Sequence, residues 1–298
     1  MFNSEKVWLG ITPTGWTNDD MPTLGESISF EQCVSEMALA GFVGCSVGHK
    51  FPRDPEVLER ELSLRGLRVS EPWASTYFTI RNGEEGTIRS FREQMAFIKR
   101  MGGTDVVVAE LGGAVHQQPV YVIDSKPVFD DGQWNALVKG LDNLGRIAQE
   151  EGMRLCYHHH MGTGVMIREE VDRLMNETNA EVVHLLLDTG HIYWAGGDPL
   201  DLAKSYADRI KHVHLKDIRK DVLDRCMSER MSFLDSVVEG SFTVPGDGVI
   251  DFRPILQVLS DHQFGGWLMV EAEQDPMKAP PLEYAMKARK YLREITGL

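Results

Sequence analysis

Short apolar runs alternate with segments of helical periodicity along the whole chain, and this alternation limits the folds available to it. Each run holds about four to six residues, and a predicted helix follows each one, at a spacing of about 30 to 40 residues. Parallel strands need such crossovers, so the pattern predicts a parallel sheet. The predicted strands are Val7–Ile11, Phe42–Val47, Leu67–Ser70, Asp105–Ala109, Arg154–Tyr157, Val182–Leu187, Ile210–Leu215 and Trp267–Val270.

Eight strand–helix pairs in 298 residues predict an α/β fold of the (β/α)₈ TIM barrel type, with one domain over residues 1–298. A doubly wound sheet is the rival fold. It would require a glycine-rich phosphate loop after the first strand, and the residues found there are TPTGWT. Residues 116–132 are predicted to form a long loop, and Asp221–Glu239 one helix.

Composition excludes several classes of function. The chain has 45 acidic and 31 basic residues, a formal net charge of −14, which argues against binding nucleic acid or anionic lipid. No apolar run approaches the ~20 residues that cross a membrane, and the first residues do not form a signal peptide. Four scattered cysteines without CxxC spacing indicate reduced thiols, and we therefore expect a cytoplasmic protein.

Histidines and acidic residues follow the predicted strands at their carboxyl ends. In a barrel these ends share one site. Because alternate residues of a strand share a face, His158 and His160 are expected to point together, as are His212 and His214, whereas His159 points away. The residues concerned are His49, Lys50, Glu110, His158, His160, Asp188, His191, His212, His214, Glu271 and Glu273.

Imidazole and carboxylate donors without clustered thiolates suit Mn²⁺, Co²⁺, Fe²⁺ or Zn²⁺. Each residue alone has an ordinary interpretation: His212 is best interpreted as a structural histidine, Asp188 could cap a helix, and Glu271 could form an ion pair. Together they predict a metal site, because burying unpaired carboxylates is costly.

Aromatic residues are expected in loops on the same face. Trp16, Trp73, Tyr77 and Trp194 could stack on the apolar face of a sugar or cyclitol ring. They could equally be packing residues beneath the loops.

Three of these segments resemble the xylose-isomerase-like barrel superfamily: DTGH at 188–191, HVHLKD at 212–217, and the glutamate after the eighth strand. The resemblance implies a metal held by His158, Asp188, His214 and Glu271, with His191 facing the substrate. The sugar isomerases and epimerases of the superfamily have glutamate where this chain has His158, and they shuttle protons between paired glutamates.

Longer segments, including GCSVGHK, YHHHMGTGV and LLLDTGHIYWAGGDP, resemble the inosose dehydratase family. This resemblance implies loss of water from 2-keto-myo-inositol (scyllo-inosose) to a trihydroxycyclohexane-1,2-dione in myo-inositol catabolism, with Mn²⁺ or Co²⁺. Glutathione is associated with the family, but no residue here predicts a site for it. A homo-oligomer is expected by analogy alone. Glu71-Pro72 departs from the small residues expected at that point.

Within this resemblance, His191 and His160 are candidates for proton transfer. Lys50 and Glu273 could orient hydroxyls or act as acid and base instead. The residues predicted to contact the substrate, a small cyclitol ketone, are His49, Trp16, Trp73, Glu110 and Trp194.

Three other functions stay open on the sequence. A metal-dependent isomerase or epimerase of a keto-sugar or related polyol ketone would give a product of unchanged mass. An endonuclease-IV-like phosphodiesterase would need a basic face, which the net charge argues against. A sugar-binding barrel without catalytic activity would not require the ligand residues that the strand ends carry.

Overall fold

The strands form a closed parallel barrel, as the alternation predicted. A computed structural model describes residues 1–298. The strands pair in the order β3-β2-β1-β11-β8-β7-β6-β5-β4, and every pair between neighbours is parallel. Their bounds are β1 (Val7–Ile11), β2 (Gly44–Cys45), β3 (Arg68–Val69), β4 (Trp73–Thr76), β5 (Asp105–Glu110), β6 (Arg154–His158), β7 (Val183–Asp188), β8 (Ile210–Leu215), β9 (Asp217–Ile218), β10 (Phe242–Thr243) and β11 (Gly266–Val270).

The barrel closes through one interrupted strand. β3 pairs with β2 and β4 pairs with β5, and only residues 70–72 separate β3 from β4. Together they are therefore the third of eight barrel strands. The sequence prediction began this strand at Leu67–Ser70 but placed Trp73 in a loop. The loop position was wrong, because the chain resumes strand pairing at Trp73.

Helices follow the strands around the outside. Ser29 and Asp54 accept hydrogen bonds from backbone N–H groups in the first turn of the helices that begin at Phe30 and Pro55, as N-caps do. The bounds are α1 (Phe30–Leu39), α2 (Pro55–Ser63), α3 (Gly83–Arg100), α4 (Val122–Ser125), α5 (Asp131–Glu150), α6 (Arg168–Glu177), α7 (Thr189–Trp194), α8 (Pro199–Tyr206), α9 (Lys220–Ser228), α10 (Phe233–Glu239), α11 (Phe252–Asp261) and α12 (Pro281–Thr296). None of them is long and apolar enough to cross a membrane.

The single helix predicted over Asp221–Glu239 is instead two, α9 and α10. Arg230 adopts a positive φ of 55°, which ends the first helix, and Ser232 accepts a hydrogen bond from the Asp235 N–H to begin the second. The predicted loop 116–132 likewise contains the short helix α4. The loop after α10 contains β10, which pairs antiparallel with β9 at the barrel mouth.

The apolar core lies between the barrel wall and the helices, where 71 buried residues form one cluster. A separate cluster of Val107, Cys156 and Leu186 fills part of the barrel interior. On β6 and β7, residues two positions further along from Cys156 and Leu186 are His158 and Asp188. Since alternate residues share a face, the inner face becomes polar at the carboxyl end of the strands. The candidate functional site therefore lies at the carboxyl ends of the barrel strands.

Candidate metal centre

The four predicted metal ligands converge at the carboxyl end of the barrel. Asp188 ends β7, and its Oδ2 lies 3.3 Å from His158 Nε2 and 3.6 Å from His214 Nδ1. The same His214 Nδ1 lies 2.8 Å from Glu271 Oε2. All four residues are at least nine-tenths buried. Donor atoms of His158, Asp188 and His214 lie within 4.8 Å of one another, and Glu271 joins them through its contact with His214.

These donors fit a divalent metal ion. His214 Nδ1 is buried, and although it lies close to two carboxylates it makes no hydrogen bond of acceptable geometry. A buried ring nitrogen without a hydrogen-bond partner, close to two carboxylate oxygens, is placed as a metal ligand would be. Two imidazoles with two carboxylates suit Mn²⁺, Co²⁺, Fe²⁺ or Zn²⁺.

The protonation states of His158 and Asp188 favour metal binding as well. Burial lowers the pKa of His158 to about 4, so this imidazole is neutral near pH 7. Burial alone would raise the pKa of Asp188, but His191 and Lys216 hold it well below its usual range. A metal ion requires such a neutral imidazole and an ionised carboxylate as ligands.

Lys216 connects His191 and Glu273 to the predicted metal ligands. Its buried ammonium nitrogen lies 2.8 Å from both His191 Nε2 and Glu273 Oε2, 2.9 Å from Glu271 Oε1 and 3.5 Å from Asp188 Oδ2. Burial opposes the charge, but these carboxylates raise the pKa of Lys216 above its ordinary value. A fixed cation therefore joins the predicted metal ligands to His191 and Glu273.

A cavity of about 540 Å³ opens above these groups. His160 lies in its wall, and its Nδ1 is 3.1 Å from the carbonyl oxygen of Met161. Trp73 is 40% exposed and packs edge-on against His158 and His160, with ring centroids 5.7 and 5.8 Å away. Trp73 and His160 therefore both lie in the wall of the cavity.

Two charged residues predicted at the site have other partners. The Lys50 ammonium donates hydrogen bonds to three carbonyl oxygens of the first loop, those of Gly25, Glu26 and Ile28. The Glu110 carboxylate accepts hydrogen bonds from two threonine hydroxyls and three backbone N–H groups. Neither lines the cavity, and their positions do not support roles in catalysis or substrate binding.

The remaining predicted contacts also lie elsewhere. Trp16 is 1% exposed and donates a hydrogen bond from Nε1 to Glu36, and Trp194 is equally buried within α7, not in a loop. Both are packing residues, the second interpretation that the sequence allowed. His49 is exposed at the rim, where its Nδ1 lies 2.7 Å from Asp19 Oδ1. Asp19 lines the cavity, and His49 does not.

Sequence reasoning missed Lys216, Glu71 and His116. Lys216 follows His212 and His214 at the same spacing of two, so strand alternation could have found it. Glu71 was noted only as an unusual residue, yet its Oε1 lies 3.2 Å from His214 Nε2. His116 enters the cavity from a loop, where its ring packs against His160 at 5.2 Å, and no local pattern indicates this.

Known proteins resemble this chain over its whole length. Residues 34–295 match the xylose isomerase-like TIM barrel family model. The inosose dehydratases of Geobacillus thermodenitrificans and Clostridium beijerinckii are 52% and 51% identical to it, each over 100% of both chains. The chain belongs to the inosose dehydratase family. The family is therefore the one that the sequence resemblance indicated.

Solved structures of more distant proteins share the fold of this family member. The IolI protein with a bound zinc atom is 17% identical, with a TM-score of 0.71 over 97% of this chain and 98% of that one. A probable 3-DHS dehydratase, AsbF from Bacillus anthracis, is 15% identical, with a TM-score of 0.70 over 96% and 98% of the two chains. At such identities the likeness shows the barrel fold alone.

Proposed function

We propose that the protein is a metal-dependent hydro-lyase that removes water from scyllo-inosose to give a trihydroxycyclohexane-1,2-dione. The observation that carries this proposal is the identity of about half of all residues, over full length, with relatives named inosose dehydratase. The site agrees with it: a cavity of about 540 Å³ has the size of a small-molecule pocket, and acid–base groups surround the predicted metal ligands.

In this proposal His158, Asp188, His214 and Glu271 hold Mn²⁺ or Co²⁺. A bound divalent ion supplies Lewis acidity, which makes the hydrogen next to a ketone more acidic. The chain itself must supply a base for that hydrogen and an acid for the departing hydroxyl.

His160 is our candidate for the base. Its Nδ1 is directed at the Met161 carbonyl oxygen, which favours the tautomer with hydrogen on Nδ1 and leaves Nε2 free to accept a proton. Burial holds the pKa of His160 well below its ordinary value, so the ring is neutral near pH 7. It also lies in the cavity wall, where a substrate carbon can reach it.

The Glu273–His191–Lys216 group is our candidate for the acid. Glu273 is the only one of the three that lines the cavity, and its Oε2 lies 2.8 Å from Lys216 Nζ and 3.4 Å from His191 Nε2. In this proposal a proton would pass from His191 through Glu273 to the departing hydroxyl, while Lys216 stays charged and orients Glu273. Trp73 would contact the apolar face of the ring.

Mass spectrometry of scyllo-inosose incubated with the protein tests this function. Metal-stripped protein should leave the substrate unchanged, and added Mn²⁺ or Co²⁺ should give a product lighter by one water. A product of unchanged mass would indicate the isomerase or epimerase alternative. No reaction with either metal would contradict the proposed substrate.

Replacing His160 by Gln should lower kcat by about 10²- to 10⁴-fold, the usual contribution of a general base. Exchange of the ring hydrogen next to the ketone with deuterated solvent should fall in parallel, because that step needs the base. Both are measured by NMR in D₂O. His184→Gln is the matched control, since His184 lies near the start of β7 and does not line the cavity. If H160Q kept full exchange, another group would be the base.

A further inference from the structure

A continuous series of buried charged groups runs from the metal centre through the barrel interior to its other end. His214 Nε2 lies 3.2 Å from Glu71 Oε1, and the second oxygen of Glu71 is in direct contact with His212 Nε2. His212 Nδ1 lies 3.1 Å from Asp105 Oδ2, and Arg154 binds both oxygens of Asp105 at 2.6 and 3.0 Å. The first four of these residues are each at most 4% exposed.

Glu71 occupies the break in the third barrel strand. The Ser70 N–H donates to the Cys45 carbonyl on β2 at 2.9 Å, and the Pro72 carbonyl accepts from the Val107 N–H on β5 at 3.3 Å. The backbone on either side of Glu71 is thus bound to two neighbouring strands. The interruption therefore places this carboxylate firmly between His212 and His214.

The contact with Glu71 determines which nitrogen of His214 can bind a metal. A carboxylate accepts, so Nε2 carries a hydrogen, and in the neutral ring that binds a metal this leaves the lone pair on Nδ1. Nδ1 is the nitrogen that lies beside Asp188 and Glu271. Carboxylates that bind metal-ligating histidines in this way orient the ring and increase its basicity as a ligand.

The rest of the series keeps Glu71 charged and in place. An isolated carboxylate would not stay ionised in the barrel interior, but His212 lies against it and is itself held by Asp105. Arg154 links Asp105 to the barrel floor by donating a hydrogen bond to the Gly265 carbonyl at 3.2 Å. His212, interpreted from the sequence as structural, acts here through Glu71.

We propose that Glu71 is a positioning residue that holds His214 for metal binding, and that His212 and Asp105 act on the metal centre through Glu71. This proposal rests on the metal dependence in the proposed function, but not on the identity of the substrate. It predicts an effect on metal affinity itself, whichever reaction the protein catalyses.

Titration of metal-stripped protein with Co²⁺, followed by its visible absorption, tests the proposal. Glu71→Gln should weaken Co²⁺ binding by about 10- to 100-fold, the usual effect of losing such a partner. Glu110→Gln is the matched control, because Glu110 is a buried glutamate of the same barrel without contact to a predicted ligand. It should leave the affinity unchanged, and circular dichroism establishes that each variant is folded.

A double-mutant cycle separates action through Glu71 from a general structural effect. His212→Gln should weaken Co²⁺ binding in the wild-type background and have little further effect in Glu71→Gln, since its route to His214 is then lost. Additive effects, or unchanged affinity in Glu71→Gln, would overturn the proposal. Absence of Co²⁺ and Mn²⁺ binding in the wild type would instead contradict the metal-dependent function.

A second measurement uses the wild-type protein, so it does not depend on whether a variant folds. Nitrogen NMR of the ¹⁵N-histidine-labelled, zinc-loaded protein shows which ring nitrogen of His214 carries the proton. The His214 ring should carry its proton on Nε2, with a proton shift typical of a hydrogen bond to a carboxylate. A proton on Nδ1 would overturn the assignment of Glu71.

Discussion

Replacing Asp188 by Asn is expected to abolish turnover, with a loss of at least about 10³-fold, because metal electrostatics contribute several kcal/mol to such reactions. Asp188 Oδ2 lies within 4 Å of His158, His214 and Lys216, so one substitution removes a charge that contacts all three. Its other oxygen accepts the His191 N–H at 2.8 Å and caps α7. Asparagine keeps that cap, so we expect the fold to survive.

The measurement compares turnover of scyllo-inosose with bound metal per chain. Asp198→Asn is the matched control: Asp198 caps α8 in the same way but lies at the surface, away from the centre. D198N should behave as the wild type, and D188N should lose both bound metal and activity. Full activity in D188N would show that Asp188 is a structural cap and not a ligand.

Replacing Lys216 by Met should destabilise the metal-free protein by about 3–5 kcal/mol, the usual cost of removing one partner from a buried ion pair. Three carboxylates, those of Asp188, Glu271 and Glu273, lie within 4 Å of its ammonium nitrogen. Without Lys216 their negative charges would repel one another in the barrel interior. A divalent ion bound nearby offsets this repulsion, so added metal should restore more stability to K216M than it adds to the wild type.

Urea unfolding in the presence of a chelator, and again with Mn²⁺, measures both effects. Lys211→Met is the matched control on the same strand, because Lys211 is partly exposed and makes no contact with the centre. If K211M and K216M lost equal stability in chelator, the carboxylates of the centre would not depend on Lys216. Turnover by K216M should also fall, since His191 and Glu273 lose the cation that lies between them.

Strand ends and alternation predicted much of the candidate site. His158, Asp188, His214 and Glu271 were among the candidates because each lies at or directly after the end of an apolar run, and parallel strands bring these ends together. The superfamily resemblance then selected these four as the metal ligands. Both signals are local, because the end of an apolar run and the period-two alternation of a strand can be recognised whatever lies around the strand in the fold. The same reasoning would have reached Lys216, two residues after His214.

The tertiary structure alone decided which polar groups contact one another. Lys50 and Glu110 were predicted at the site because they follow strands, yet both form hydrogen bonds to backbone groups instead. A position after a strand was therefore not sufficient to place a side chain in the site. Glu71 reaches His214 across 143 positions of the chain. A local pattern carries no information about such a contact, because barrel closure sets the distance between the two strands and the break at residues 70–72 directs the side chain.

The sequence by itself determined the alternating strands and helices and the ligand types at the strand ends, through local backbone and side-chain preferences. Closure of the barrel decided which of these polar side chains contact one another. Charged groups from distant strands meet only in the closed barrel, and its interior requires each charge to be paired.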